Sequence, residues 1–155
     1  MDARIEKLIT RMEKSRAQLN IALEKLTPKQ NIYPSWKVKQ LMDHITGWDE
    51  LVVATLQAYV RGSNPVMMVK DGIDHYNAES VSARKDITLE QSQRDFEMSR
   101  QKVLQLLRDL PAEVYEREFP APWGGMCTIE GIIKIFISHE REHTRHIEAM
   151  LKNLG

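Results

Sequence analysis

Apolar residues recur three and four apart from about Ala3 to Leu26, at Ile5, Leu8, Met12, Leu19, Ala22 and Leu26, while Arg, Lys and Glu fill most other faces. This spacing lays one apolar stripe along a helix. A second segment starts at Ser35, a residue type that caps helix N-termini, and runs to about Arg61, where Gly62 stops it. Its inward row reads Val38, Leu41, Ile45, Trp48 and Val52, with His44 and Leu51 beside that row. A third starts near Thr88, where Thr88-Leu89-Glu90-Gln91 has capping-box spacing. Leu89, Phe96, Val103 and Leu110 then recur every seven residues, supported by Leu107. The fourth runs from Thr128 to about Asn153 and is closed by Gly155. A short helix over Asn77 to Arg84 is predicted before the third.

Turn signals separate these segments: Thr27-Pro28, Tyr33-Pro34-Ser35, Gly62-Ser63-Asn64-Pro65, Lys70-Asp71-Gly72 and the run from Pro111 to Cys127. Four amphipathic helices bury their stripes against one another, so the prediction is all-α, a four-helix bundle. The length of 155 residues suits one domain with one core. The connections over 62–74 and 111–127 are long for a simple bundle and are expected to cover a site.

Composition narrows the function classes. Aromatic residues make up 6% of the chain, with 7 Gly and 6 Pro, so strands should be scarce. The 22 Lys+Arg balance 22 Asp+Glu, and this neutrality argues for no nucleic-acid partner, since phosphate affinity needs a concentrated positive face. No apolar run reaches 18 residues, so no membrane span is expected. The charged first residues, Met1 to Lys7, lack the apolar stretch of a signal peptide, and the single Cys127 excludes an intramolecular disulfide. Together these predict a cytoplasmic protein.

The fourth helix carries an anomaly. Its stripe begins Ile132, Phe136 and ends Met150; the same rhythm between them lands on His139, His143 and His146. Glu140, Arg141, Glu142, Arg145 and Glu148 fall mostly on the other faces. An unpartnered buried imidazole costs on the order of 1–3 kcal/mol, so several in a row call for compensation. His139 and His143 stand at i and i+4 and can grip one cation. A third ligand must come from another helix, and His44, one turn after Leu41, is the best placed. Three imidazoles leave a coordination position open, the layout of a catalytic rather than structural zinc site. His146 reads as a neighbour of the ligands, and His75 as a loop or rim residue. A di-iron carboxylate site would need a second Glu-x-x-His, and only Glu140 and His143 supply one.

Two stretches resemble the histidine motifs of the DinB/YfiT-like four-helix bundle proteins: Trp36 to Asp49, around His44, and Ser138 to Ile147, containing His139, His143 and His146. The resemblance extends over essentially the whole chain. It implies an up-down-down-up bundle, a divalent metal ion, zinc or nickel, on His44, His139 and His143, and a homodimer. It also implies a metalloenzyme that activates water or a low-molecular-weight thiol, for hydrolysis or thiol transfer to a small-molecule substrate. Where the family often has Gln or another polar residue this chain has His146, which either tunes the metal or replaces His44 as third ligand.

On this reading the proton acceptor is sought first at His146, then at His75 and Asp74, and Asn77 and Arg84 orient a polar or anionic substrate. Trp48 and Trp123 are expected in packing. The alternatives are a non-catalytic protein, possessing a structural metal, that binds or sequesters a small molecule or serves in stress, and a bundle whose histidines bond only to one another and to water.

Overall fold

A computed structural model describes residues 1–154. Helix α1 spans Ala3–Glu24, capped by the Asp2 carboxylate, which accepts from the Arg4 backbone N–H. Helix α2 spans Val38–Arg61 and ends at Gly62, whose φ of 73° places it in the left-handed region that glycine enters without strain. Helices α3 (Ile73–Ala83), α4 (Leu89–Arg108) and α5 (Ile129–Leu154) follow. The Thr88 hydroxyl caps α4 by accepting from Gln91 N–H, and the Thr128 hydroxyl accepts from Gly131 N–H at the start of α5. Between α4 and α5, two-residue strands β1 (Phe119–Pro120) and β2 (Met126–Cys127) pair antiparallel. Gly155, the predicted stop of the last helix, lies outside the described residues.

Two boundaries differ from prediction. Ser35 does not cap α2, because Tyr33 and Trp36 pair across it in an isolated bridge. Pro34 disfavours helix at the residue before it, and the Gln40 side chain instead accepts from Lys37 N–H to start the helix at Val38. Helix α3 begins four residues before Asn77, directly after Gly72, whose φ is 97°.

Core packing reveals the helix directions. One apolar cluster joins the first half of α1 (Ile5, Leu8, Met12), the second half of α2 (Leu51, Leu56, Tyr59), the second half of α4 (Val103, Leu107) and the first half of α5 (Ile132, Ile133). The other joins the opposite halves, through Leu19, Leu41, Phe96 and Ile147. Thus α1 and α5 run parallel, and α2 and α4 run parallel to each other and opposite to that pair. The bundle is up-down-down-up. Among the described residues no helix is long and apolar enough to cross a membrane.

Helix α3 lies across α2 because Gly47 has no side chain. A Cβ there would stand 2.5 Å from Ser80 Oγ and 2.6 Å from Ser80 Cβ, and the Tyr76 hydroxyl donates to the Gly47 carbonyl at 2.7 Å. Gly47→Ala should therefore destabilise by about 1–2 kcal/mol, although alanine's helix propensity favours it by about 1 kcal/mol. Urea denaturation checks this, and Ser80→Gly in the same chain should narrow the deficit.

Candidate metal centre

Between the two apolar clusters the interior is polar. Glu140 of α5, Asp49 of α2, Arg16 of α1 and Arg100 of α4 are all buried there. Glu140 accepts from Ser15 Oγ at 2.7 Å, Arg16 Nε at 3.0 Å and both Arg100 terminal nitrogens at 3.0 Å. Asp49 takes one contact from each arginine at 3.2 Å. Two cations thus meet two anions. Burial alone would raise the Glu140 pKa, but Arg100 and Arg16 outweigh it and hold the carboxyl below its usual range. The sequence pattern put Glu140 off the buried seam. It is 2% exposed. From Phe136 a helix turning every 3.6 residues reaches its buried face at 140, 143 and 147, and drifts from 139 and 146.

The histidines sit beside this layer. His44 of α2 is 2% exposed and His143 of α5 8%, while His139, one turn earlier, is half-buried. Their Nε2 atoms converge: His44 to His139 at 3.2 Å, His44 to His143 at 3.2 Å, and His139 to His143 at 2.9 Å. Nitrogens held about 2.0–2.1 Å from one ion stand about 2.9–3.4 Å apart, depending on coordination geometry, so the triangle fits a cation. It fits three neutral rings poorly. A neutral Nε2 is either a donor or an acceptor, so at least one side of the triangle must set two donors or two acceptors against each other. These three residues form the group that could hold a metal ion.

Surrounding groups fix the rings. Tyr33 Oη lies 2.6 Å from His143 Nδ1 and 2.7 Å from His146 Nδ1. When His143 Nε2 serves as a ligand, its Nδ1–H donates to Tyr33, whose hydroxyl can donate onward to His146 Nδ1. His146 is therefore one hydroxyl removed from the triad, half-exposed, with Nε2 4.0 Å from Glu142. The Trp36 ring covers His44 at 4.7 Å between centroids, and His44 Nδ1 is buried without a hydrogen-bond partner.

Burial pushes the His44 pKa down to about 2, aided by repulsion from His139 and His143 and opposed by contact with Asn77. Burial likewise pushes His143 to about 3, with His139 and His146 adding to it. Burial also lowers His139, against the attraction of Glu140, Glu142 and Asp49. In the unfolded chain these rings protonate near pH 6.5. Below that pH the unfolded state binds protons that the folded state refuses, so folding stability falls as pH falls, by about 1.4 kcal/mol per unit for each such ring. Chemical denaturation of the metal-free protein should show level stability above about pH 7 and a steep loss from about pH 6.5 downward. Unchanged stability between pH 7 and 5 would contradict these burials.

The other candidates lie apart from one another. Asn77 Oδ1 accepts from Trp48 Nε1 at 2.7 Å, and Asn77 lines a cavity together with His139. The Arg84 guanidinium is held by Asp95 at 3.0 Å and by Glu50, between α3, α4 and α2. His75 is exposed between Asp71 at 3.8 Å and Glu79 at 3.2 Å, and Asp74 is exposed beside it. Sequence reasoning passed over Tyr33, Trp36, Asp49, Arg16 and Arg100. Tyr33 and Trp36 belong to a turn, where no periodicity marks an inward side chain. The arginines leave a trace, because each fills a gap in an otherwise apolar row.

Fold and site together define a four-helix bundle with a three-histidine centre near mid-height. The DinB superfamily model matches residues 11–147, and the chain belongs to that superfamily. No curated protein matches it in sequence. Three solved structures are similar in fold. The colibactin self-resistance protein ClbS, crystallised with dsDNA, is 18% identical with a TM-score of 0.78, over 96% of this chain and 95% of that one. YfiT from Bacillus subtilis, described as a probable metal-dependent hydrolase with an unusual four-helix bundle topology, is 19% identical with a TM-score of 0.76, over 100% and 90%. The mycothiol-dependent maleylpyruvate isomerase is 12% identical with a TM-score of 0.68, over 97% of this chain and 60% of that one.

The ClbS complex overturns one expectation. A protein of this fold was crystallised with double-stranded DNA, so the exclusion of a nucleic-acid partner does not stand. Net charge averages over the whole surface, whereas a phosphate backbone meets only a local face. Here Arg11, Lys14 and Arg141 line one cleft between α1 and α5 despite the neutral total.

Proposed function

We propose that this protein is a metal-dependent enzyme in which His44, His139 and His143 hold one zinc or nickel ion for hydrolysis or thiol transfer. The observation that carries the reading is the convergence of three Nε2 atoms from two helices within 3.2 Å. A bound ion of this kind lowers the pKa of a water or thiol ligand, giving a nucleophile near neutral pH.

The chain's own residues prepare for that chemistry. Burial keeps His44 and His143 neutral, the form able to ligate. Tyr33 holds the His143 ring in one tautomer and orientation by accepting from its Nδ1–H. His146 is the nearest further base, with Nδ1 on Tyr33 and Nε2 toward solvent, so it is assigned the role of passing protons outward. The exposed His75 and Asp74 have no part in this reading, nor does Arg84, which two carboxylates occupy.

Turnover tests it. Metal-loaded protein is incubated with a panel of esters and amides, and separately with low-molecular-weight thiols plus electrophiles. At least one class should react, and the rate should fall to the uncatalysed background in His143→Ala. Tight binding of small molecules with no turnover in either panel would replace catalysis by sequestration.

A further inference from the structure

Next to the triad lies a cavity of about 320 Å³. Its walls are Trp48, Trp123, Phe136, Ile73 and Ile135, drawn from α2, the loop before β2, α5 and α3. Its two polar residues are Asn77 and His139, and none of the residues lining it is charged. His139 belongs also to the triad, so a molecule in the cavity stands beside the three Nε2 atoms.

The orientation of the Asn77 amide is fixed chemically. An indole N–H can only donate, so the atom that Trp48 Nε1 meets at 2.7 Å must be Asn77 Oδ1. The Nδ2 hydrogens are then left without a protein acceptor among the described residues. A half-buried donor in a cavity walled mainly by aromatic and aliphatic side chains is placed to meet an oxygen from the ligand. An ionised group entering the same space would lose part of its hydration and meet no opposite charge in the walls, which disfavours charged bodies.

We propose, resting on the metalloenzyme reading above, that this cavity is the substrate site and takes an uncharged carbonyl compound with an apolar body, its oxygen accepting from Asn77 Nδ2 beside the triad. Asn77 is then a specificity-determining residue, and Trp48 positions it. The apolar body packs on Trp123 and Phe136, and the reactive carbonyl lies at the His139 end. A highly charged low-molecular-weight thiol does not fit this space.

The test uses metal-free protein and two probes of equal shape, phenylacetamide and phenylacetate, read by tryptophan fluorescence and calorimetry. Phenylacetamide should bind, and phenylacetate should bind at least tenfold more weakly. Asn77→Asp keeps the acceptor for Trp48 and removes the Nδ2 donor, so it should weaken phenylacetamide at least tenfold while circular dichroism shows the protein still folded. Ile135→Arg, at an exposed position on the cavity wall, should weaken phenylacetamide similarly and leave metal uptake intact. Equal binding of both probes, no binding of phenylacetamide, or an Asn77→Asp protein that binds as the wild type does would overturn the assignment. Because no metal is present, its failure is distinct from that of the triad, which would show as absent metal uptake in the wild type.

Discussion

Glu140→Ala should cost the fold about 3–5 kcal/mol, far more than an ordinary surface change. The carboxylate is 2% exposed and accepts from Ser15, Arg16 and Arg100. Its removal leaves two buried guanidiniums facing the single carboxylate of Asp49. An arginine does not escape by losing its proton, so the uncompensated charge stays in the interior. The whole charge set need not be better than an apolar one, because desolvation offsets much of its attraction. It follows that Arg16→Met with Glu140→Leu, which leaves the Arg100–Asp49 pair matched, should be less damaging than Glu140→Ala alone. Urea denaturation of the three proteins decides it. A loss below about 1 kcal/mol for Glu140→Ala would show that the charge layer is solvated rather than buried.

The second large effect is metal removal. A ligand bound only by the folded state adds about 2.7 kcal/mol at a hundredfold excess over its dissociation constant and about 4 kcal/mol at a thousandfold. For a chain of this size each kcal/mol moves the melting temperature by roughly 2–4 °C. A chelator should thus lower the wild-type melting temperature by about 5–15 °C. In His139→Ala, which keeps two of the three nitrogens, the same chelator should have little effect. Equal shifts in both proteins would place the ion elsewhere.

The bundle was legible because its helices are amphipathic over five to seven turns and their stops are chemically plain: Gly62 closes α2, and Thr88 caps α4 through its hydroxyl. The triad was legible for a related reason. His44 falls beside a row of Leu and Ile, and His139 and His143 interrupt an apolar rhythm, where imidazole needs a partner.

The charge layer was hidden by the same rule that exposed the histidines. Arg16 sits between Met12 and Leu19, Arg100 between Phe96 and Val103, and Glu140 between Phe136 and His143. Each position continues its row, but a charged side chain there reads as a helix face turned to water. Only at the same height of four helices do these gaps explain one another, and the order of heights depends on the up-down-down-up arrangement. Tyr33 and the cavity were less accessible still, since a turn and a pocket built from three helices and a loop are tertiary facts. The neutral composition misled about nucleic acid because a sum of charges carries no positions.

Elemental analysis of the purified protein, prepared without chelator and then reconstituted with zinc or nickel, addresses the triad itself. One divalent ion per chain is expected in the wild type, and none in His44→Ala or His143→Ala when both remain folded by circular dichroism. Wild-type protein that takes up no ion, or either variant that retains a full equivalent, would contradict the assignment of His44, His139 and His143 as its ligands.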